Sequence, residues 1–206
     1  MVIVDYGVGN LFSLKSSFAF IGQEVEVSGD RDVIAKADRI ILPGVGAFAD
    51  ASKKLKESGL DRVICDKVKD GTPLMGICLG MQMLFERSLE YGEHKGLSLI
   101  EGSVRYIGEV IPAELKIPHI GWNALHFRGK KHPIFKYVEE GECVYFVHSF
   151  YGADCEKSVI ATAEYGAPLT AAVASSNVCG CQFHPEKSGK TGLNILRAFC
   201  EWEGNE

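Results

Sequence analysis

The sequence predicts one α/β domain, residues 1–206, built on a doubly wound, mostly parallel sheet with an antiparallel flank. Three observations predict it. In the first half, short apolar runs alternate with helical patterns, as parallel βαβ units require. In the second half, β-like stretches follow one another with few helical patterns between them, which reads as hairpins added along one side. Finally, the 206 residues contain no repeat, low-complexity tract or Pro/Ser-rich linker at which to divide them, and that length suits one core.

The elements follow in order. Residues 2–6 (VIVDY) are apolar and β-branched, so they open the sheet as a strand. A helix is expected over about 11–21, then strands over 24–28 and 39–42 and helices around 47–56 and 60–69. Residues 72–77 (TPLMGI) are an unbroken apolar run, hence a buried strand, feeding a helix that continues through Leu84 and Phe85. Further β-like stretches cover 103–107, 121–127, 143–150, 159–164, 170–174 and 178–183. A closing helix over 192–202 puts Leu193, Leu196, Ala198, Phe199 and Cys200 roughly on one side.

Composition excludes several classes. Hydrophobic residues at 46%, charged residues at 24%, 23 Gly and 7 Pro describe an ordinary globular chain rather than a disordered or collagen-like one. A net charge of −5 argues against nucleic acid as a partner. Met1 runs into Val2-Ile3-Val4-Asp5 with no basic leader, and no apolar run has the length of a membrane span. A cytoplasmic protein with no membrane partner is therefore expected. The seven cysteines (65, 78, 143, 155, 179, 181 and 200) are an odd, scattered set, read as mostly buried, reduced side chains rather than a disulfide framework. Cys179-Gly-Cys181 lacks a companion Cys/His pair at zinc spacing, so strand alternation is the preferred explanation and no metal is expected.

Gly76-Ile77-Cys78-Leu79-Gly80 has the G-x-nucleophile-x-G form of a strand-to-helix elbow and falls between a predicted strand and a predicted helix. The glycines leave room for the sharp turn, and Cys78 is expected to project into solvent. There a thiolate would face the unpaired N–H groups at the helix start. A buried free cysteine is the ordinary alternative. A cysteine nucleophile needs a base and an orienter, and Gln182-Phe183-His184-Pro185-Glu186 offers both at a strand end. Pro185 biases His184 toward extended backbone, where residues i and i+2 share a side, so Glu186 can reach the imidazole. In isolation the tripeptide would read as a surface turn. His119, His126 and His148 compete as bases, but none has a carboxylate two residues on at a strand end. For a developing oxyanion the elbow offers the Leu79 amide, and the glycine-rich turn Pro43-Gly44-Val45-Gly46 could supply a second. Gln82, one helical turn beyond Cys78, reads as a substrate contact or a solvated polar side chain.

Together these motifs resemble the class I, triad-type glutamine amidotransferases, in which a Cys-His-Glu set releases ammonia from glutamine. Further runs, Asp5-Tyr6-Gly7-Val8-Gly9-Asn10-Leu11, Pro118-His119-Ile120-Gly121-Trp122-Asn123 and Tyr145-Phe146-Val147-His148-Ser149, extend the resemblance over essentially the whole chain. They point to the subfamily of glutaminase subunits of imidazole glycerol phosphate synthases. The resemblance implies a flavodoxin-like doubly wound sheet, Cys78 as nucleophile, His184 as acid/base, Glu186 as orienter, and an oxyanion hole of Leu79 with Gly44, Val45 and Gly46. Gln82, Glu90, Ser149 and Phe150 match substrate-binding positions, Phe150 where tyrosine is more usual. Asn10, Trp122, Tyr145 and Lys187 match positions facing a partner; read alone, Trp122 and Tyr145 could be core aromatics and Lys187 a solvated charge.

The implied partner is a (β/α)₈ cyclase subunit of imidazole glycerol phosphate synthase, in a heterodimer that makes imidazole glycerol phosphate and aminoimidazole carboxamide ribotide for histidine biosynthesis. No cofactor is required, since thiolate, base and oxyanion donors account for amide hydrolysis. Two other classes stay open at this point. One is a paralogous glutaminase serving a surface-sugar, anthranilate-type or pyridoxal phosphate pathway; the other is an inactive scaffold or cysteine-peptidase-like relative.

Overall fold

The computed structural model describes residues 1–204, so the last two residues of the expected 1–206 domain lie outside the described residues. The first half is a run of short elements: β1 (Val2–Val4), α1 (Leu11–Phe20), β2 (Glu26–Ser28), α2 (Arg31–Ala35), β3 (Ile40–Leu42), α3 (Phe48–Glu57), α4 (Leu60–Lys69), β4 (Leu74–Ile77) and α5 (Leu79–Met83). Then come β5 (Phe85–Ser88), β6 (His94–Lys95), β7 (Ile100–Tyr106), β8 (His119–Ala124), β9 (His126–Phe127), β10 (Cys143–His148), β11 (Phe150–Ala153), β12 (Val159–Glu164), β13 (Pro168–Ser175), β14 (Val178–Cys181) and α6 (Gly189–Glu201).

Eight strands form the spine in the order β2-β1-β3-β4-β14-β13-β12-β9. From β2 to β14 the pairing is parallel, and β13, β12 and β9 extend the sheet antiparallel. Period-2 alternation winds helices onto both faces. Ile3, Ile41, Met75, Ile77, Cys179 and Cys181 share one core with Leu14 and Phe18 of α1 and Ile195, Leu196 and Phe199 of α6. Val2, Val4, Ile40, Leu42, Leu74 and Val178 share the other with Ile34 of α2, Ala51 and Leu55 of α3, and Leu60 and Ile64 of α4. A strand feeding two cores has no polar face, which is why these segments read as unbroken apolar runs. Each such side chain contributes roughly 1.5–3 kcal/mol by its burial. The pair Cys179 and Cys181 falls on one face of β14, and the thiols of both are pushed well up by burial.

The structure corrects several expected boundaries. Helix α2 was not expected, although Asp30, whose side chain accepts from the Asp32 amide at 2.7 Å, is a helix-start signal. The helix after the elbow ends at Met83 instead of running through Leu84 and Phe85. Its last carbonyls are taken by a returning segment, with the Leu97 amide donating to Met83 and the Leu99 amide to Leu84, both at 2.8 Å. Phe85 instead starts β5, part of an unanticipated four-stranded sheet β11-β7-β5-β6. The 121–127 stretch divides into β8 and β9 around buried Leu125, and the 143–150 stretch into β10 and β11 at Ser149. In both cases the two pieces pair with different neighbours: β8 with β10, β9 with β12, β11 with β7.

At the turn out of β4 the backbone packs against itself. A Cβ on Gly76 would lie 2.6 Å from the Gly80 carbonyl oxygen, and one on Gly80 would run into the Leu42 carbonyl oxygen. Because backbone, not a flexible side chain, is in the way, Gly80→Ala should cost about 3 kcal/mol of stability through forced overpacking. Urea unfolding of the variant checks this; a midpoint equal to that of the parent would show that the elbow has slack.

Candidate active site

The register of two parallel neighbours brings the distant motifs together. Ile77 of β4 pairs with Cys181 of β14, and the Cys78 amide donates to the Cys181 carbonyl at 2.8 Å, so both chains leave the sheet side by side at their carboxyl ends. This edge of a doubly wound sheet is where such folds place ligands. Cys78 turns the chain with φ 55° and ψ −112°, a conformation that a non-glycine residue rarely adopts and that the packed glycines around it enforce. Contrary to expectation the thiol does not project into bulk solvent: Cys78 is 8% exposed and forms part of the wall of a cavity of about 580 Å³.

His184 keeps the extended backbone that Pro185 imposes (φ −98°, ψ 99°). Its Nδ1 lies 2.8 Å from Glu186 Oε1, with the Glu186 side chain only 1% exposed, and the ring shares the cavity wall with Cys78. The peptide is clamped: the His184 amide donates to the Tyr145 carbonyl at 3.0 Å, and Ser188 Oγ donates to the His184 carbonyl at 2.6 Å. Burial pushes the imidazole toward its neutral form, but the hydrogen bonds and charges of Cys78 and Glu186 overcome this and raise His184 from 6.5 to about 9. Glu186 Oε2 is buried with no hydrogen-bond partner among the described residues, and Oε1 holds the ring.

The competing histidines are otherwise employed. His126 is exposed beside Glu140, with Nδ1 3.4 Å from Oε1. His119 and His148 are buried and lowered to about 4, His119 by burial alone, His148 by burial assisted by His119 and His184. His148 nevertheless lines the same cavity as Cys78 and His184.

Of the remaining expected residues, Leu79, Val45, Gly46, Gln82, Glu90, Ser149 and Phe150 also line this cavity. Gly44 lies behind it, with no space for a Cβ, which would sit 2.9 Å from both the Leu79 Cβ and Tyr6 Oη. The Tyr6 hydroxyl donates to the Pro43 carbonyl at 2.7 Å and so anchors the start of that loop. Gly46 at its end has φ +97°. Glu90 Oε2 accepts from the Phe48 amide at 2.6 Å, tying the far wall to the first turn of α3. Gln82 is buried rather than solvated, and both its Nε2 hydrogens are committed, to the Phe150 carbonyl at 3.1 Å and to Gln182 Oε1 at 3.0 Å. Sequence reasoning missed Gln182, whose Nε2 lies 3.7 Å from Cys78 Sγ. The signal was its spacing of two from His184, the same rule that selected Glu186.

Of the expected partner-facing residues, Lys187 stands on the cavity wall. Trp122 is 57% exposed, next to equally exposed Ile120, and so is no core aromatic. Its ring centroid is 6.2 Å from that of half-buried Tyr145, and Lys187 Nζ sits 5.9 Å from the Tyr145 centroid. Lys187 is also part of the cavity wall, so patch and cavity are continuous. Asn10 caps α1, accepting from the Ser13 amide at 3.3 Å, and α1 packs against the 185–187 turn.

The family model described as glutamine amidotransferase class-I matches residues 2–201. Among curated relatives, the imidazole glycerol phosphate synthase subunit HisH of Syntrophotalea carbinolica is 46% identical, covering 97% of this chain and 98% of its own. The HisH subunit of Geobacillus thermodenitrificans is 47% identical over 96% of this chain and 93% of its own. The fold is similar to that of PurLQS from Thermotoga maritima, with a TM-score of 0.75 at 19% identity over 97% of this chain and 96% of that one.

Because its value in the folded protein lies above the ordinary one, His184 contributes stability that is fully present below pH 6.5 and lost as pH rises through about 9. NMR titration of the imidazole should give a midpoint near 9 in the parent and lower midpoints in Cys78→Ala and Glu186→Gln. A midpoint unmoved in both variants would mean that neither partner holds the proton on the ring.

Proposed function

Since the chain belongs to the class I glutamine amidotransferase family, we propose that Cys78, His184 and Glu186 hydrolyse the side-chain amide of glutamine to glutamate and ammonia. The observation that carries this reading is Cys78 and His184 on the wall of one cavity, with the buried Glu186 carboxylate held against the far side of the imidazole. The chain is a glutaminase of histidine biosynthesis; its relatives are named as the HisH subunit of imidazole glycerol phosphate synthase, which favours that pathway over a surface-sugar, anthranilate-type or pyridoxal phosphate one.

The chemistry follows from the proton inventory. Cys78 Sγ attacks the amide carbon, and the oxyanion that forms takes the Leu79 amide and one amide of the Gly44–Gly46 loop; losing one such donor typically costs ~10²–10³ in rate. His184, protonated at neutral pH, gives its proton to the departing ammonia as the C–N bond breaks. Glu186 keeps the ring oriented through Nδ1. Water then attacks the thioester, His184 takes its proton, and glutamate leaves with Sγ restored. The α-amino and α-carboxyl groups of glutamine face Gln82, Glu90, Ser149 and Phe150. Because both Gln82 N–H groups are spent inside the protein, its Oε1 is the atom left to accept from the substrate ammonium.

The HisH relatives are subunits of a larger synthase, so a partner subunit receives the ammonia. We assign that partner as a (β/α)₈ cyclase in a cytoplasmic heterodimer, docked on the face of Asn10, Trp122, Tyr145 and Lys187. Trp122 is exposed beside half-buried Tyr145, and aromatic side chains are enriched at interface centres; Lys187 joins this patch to the cavity edge. The Gly44–Gly46 loop rests with its amide turned away until the partner and its ribotide ligand bind, which couples the two sites.

Glutamate release by parent and Cys78→Ala, each with and without the cyclase and its ribotide ligand, tests the proposal. Cys78→Ala should release none in any condition. The parent should be stimulated by the partner by roughly 5–150-fold, the usual range of such coupling. Equal rates with and without the partner would falsify the coupling while leaving the nucleophile assignment standing.

A further inference from the structure

A continuous polar chain runs behind the nucleophile, and its donors and acceptors are determined at every step. Asn123 Oδ1 accepts from the Ala124 amide at 2.8 Å and its Nδ2 donates to the Glu164 carbonyl at 2.8 Å, which fixes the amide orientation. The same Nδ2 lies 3.3 Å from His119 Nε2, which must then be an acceptor. His119 therefore carries its proton on Nδ1, 3.0 Å from His148 Nε2. His148 in turn carries its proton on Nδ1 and gives it to the Phe150 carbonyl at 2.8 Å. That carbonyl also accepts from Gln82, whose second hydrogen goes to Gln182, whose Nε2 is directed at Cys78 Sγ.

Each ring must be neutral for this polarity to hold, since a second proton on either would set two N–H groups face to face. Burial enforces neutrality. His119 is stacked between Phe146 and Tyr165 at centroid distances of 4.8 and 4.2 Å, and both histidines are lowered to about 4. Two buried histidines against one cavity edge thus have opposite tasks, His184 holding a proton and His148 refusing one.

We propose that His119 and His148 are positioning residues: as a neutral, directionally fixed pair they hold the Phe150 carbonyl, and through Gln82 and Gln182 they set the hydrogen bond that orients the Cys78 sulfur for attack. Without the His148 donor, the Phe150 carbonyl keeps one partner instead of two, the Gln82–Gln182 pair is free to turn, and the sulfur loses its directed N–H. The inference rests on the glutaminase reading for its kinetic arm, but thiol reactivity tests it independently.

The full-length chain carrying His148→Phe keeps the ring volume and loses the donor, whereas His148→Asn keeps a donor at the Nδ1 position. Glutamine kcat should fall roughly ten- to a hundred-fold in His148→Phe, the cost of about 1 Å of misplacement at a reacting group, with KM little changed. The rate of Cys78 alkylation by iodoacetamide should fall with it, and His148→Asn should restore most of both. The pair His119→Phe and His119→Asn repeats the comparison one ring further out, and thermal melting identifies any variant that fails to fold. Folded Phe variants with parental kcat and alkylation rate, or Asn variants no better than their Phe counterparts, overturn the proposal. A parent chain that releases no glutamate with its partner would sink the glutaminase reading instead, and the alkylation rates would still judge the chain.

Discussion

The structure depends on the parallel pairing of β4 with β14. The register that opposes Ile77 to Cys181 and the hydrogen bond from the Cys78 amide to the Cys181 carbonyl bring together two segments far apart in sequence. A slip of one residue would turn the side chains of β14 over, sending Cys179 and Cys181 to the opposite core and His184 away from the sulfur. The two apolar cores on either face resist that slip, so the burial that stabilises the sheet also sets the geometry of the site.

Around that pairing the protein fixes each reacting group from behind. The Cys78 turn is held by glycines whose backbones touch. The His184 peptide is clamped through Tyr145 and Ser188, and its ring by a buried carboxylate. Gln182 and Gln82 tie the sulfur to the Phe150 carbonyl, and Glu90 ties the cavity wall to α3. In the 43–46 loop Tyr6 secures the first carbonyl and Gly44 packs against Leu79 and Tyr6, while Gly46 keeps a conformation that glycine adopts without strain.

The small sheets explain how the Trp122 face and the cavity become neighbours. β8 carries Trp122 and Asn123, and its partner β10 leads through His148 into the Ser149–Phe150 wall of the cavity. Lys187 belongs to both surfaces, standing beside the Tyr145 ring and on the cavity edge.

The doubly wound half and the pairing of His184 with Glu186 are legible in the chain itself. Unbroken apolar strands can only be buried on both faces, a cysteine between two glycines after such a strand can only be an elbow or a buried filler, and the His-Pro-Glu spacing puts carboxylate and ring on one side of extended chain. These are local constraints, legible within a few residues. Long-range packing sets the end of α5 at Met83, the breaks in the 121–127 and 143–150 stretches, the internal commitment of the Gln82 N–H groups and the neutral pair of His119 and His148. Each of these depends on a partner from a remote segment: the returning 97–99 segment, the separate neighbours of β8 and β9, the Phe150 carbonyl, the ring one strand away. Hydrogen-bond partners chosen across the fold leave no periodicity in the chain, and for that reason no reading of spacing could have found them.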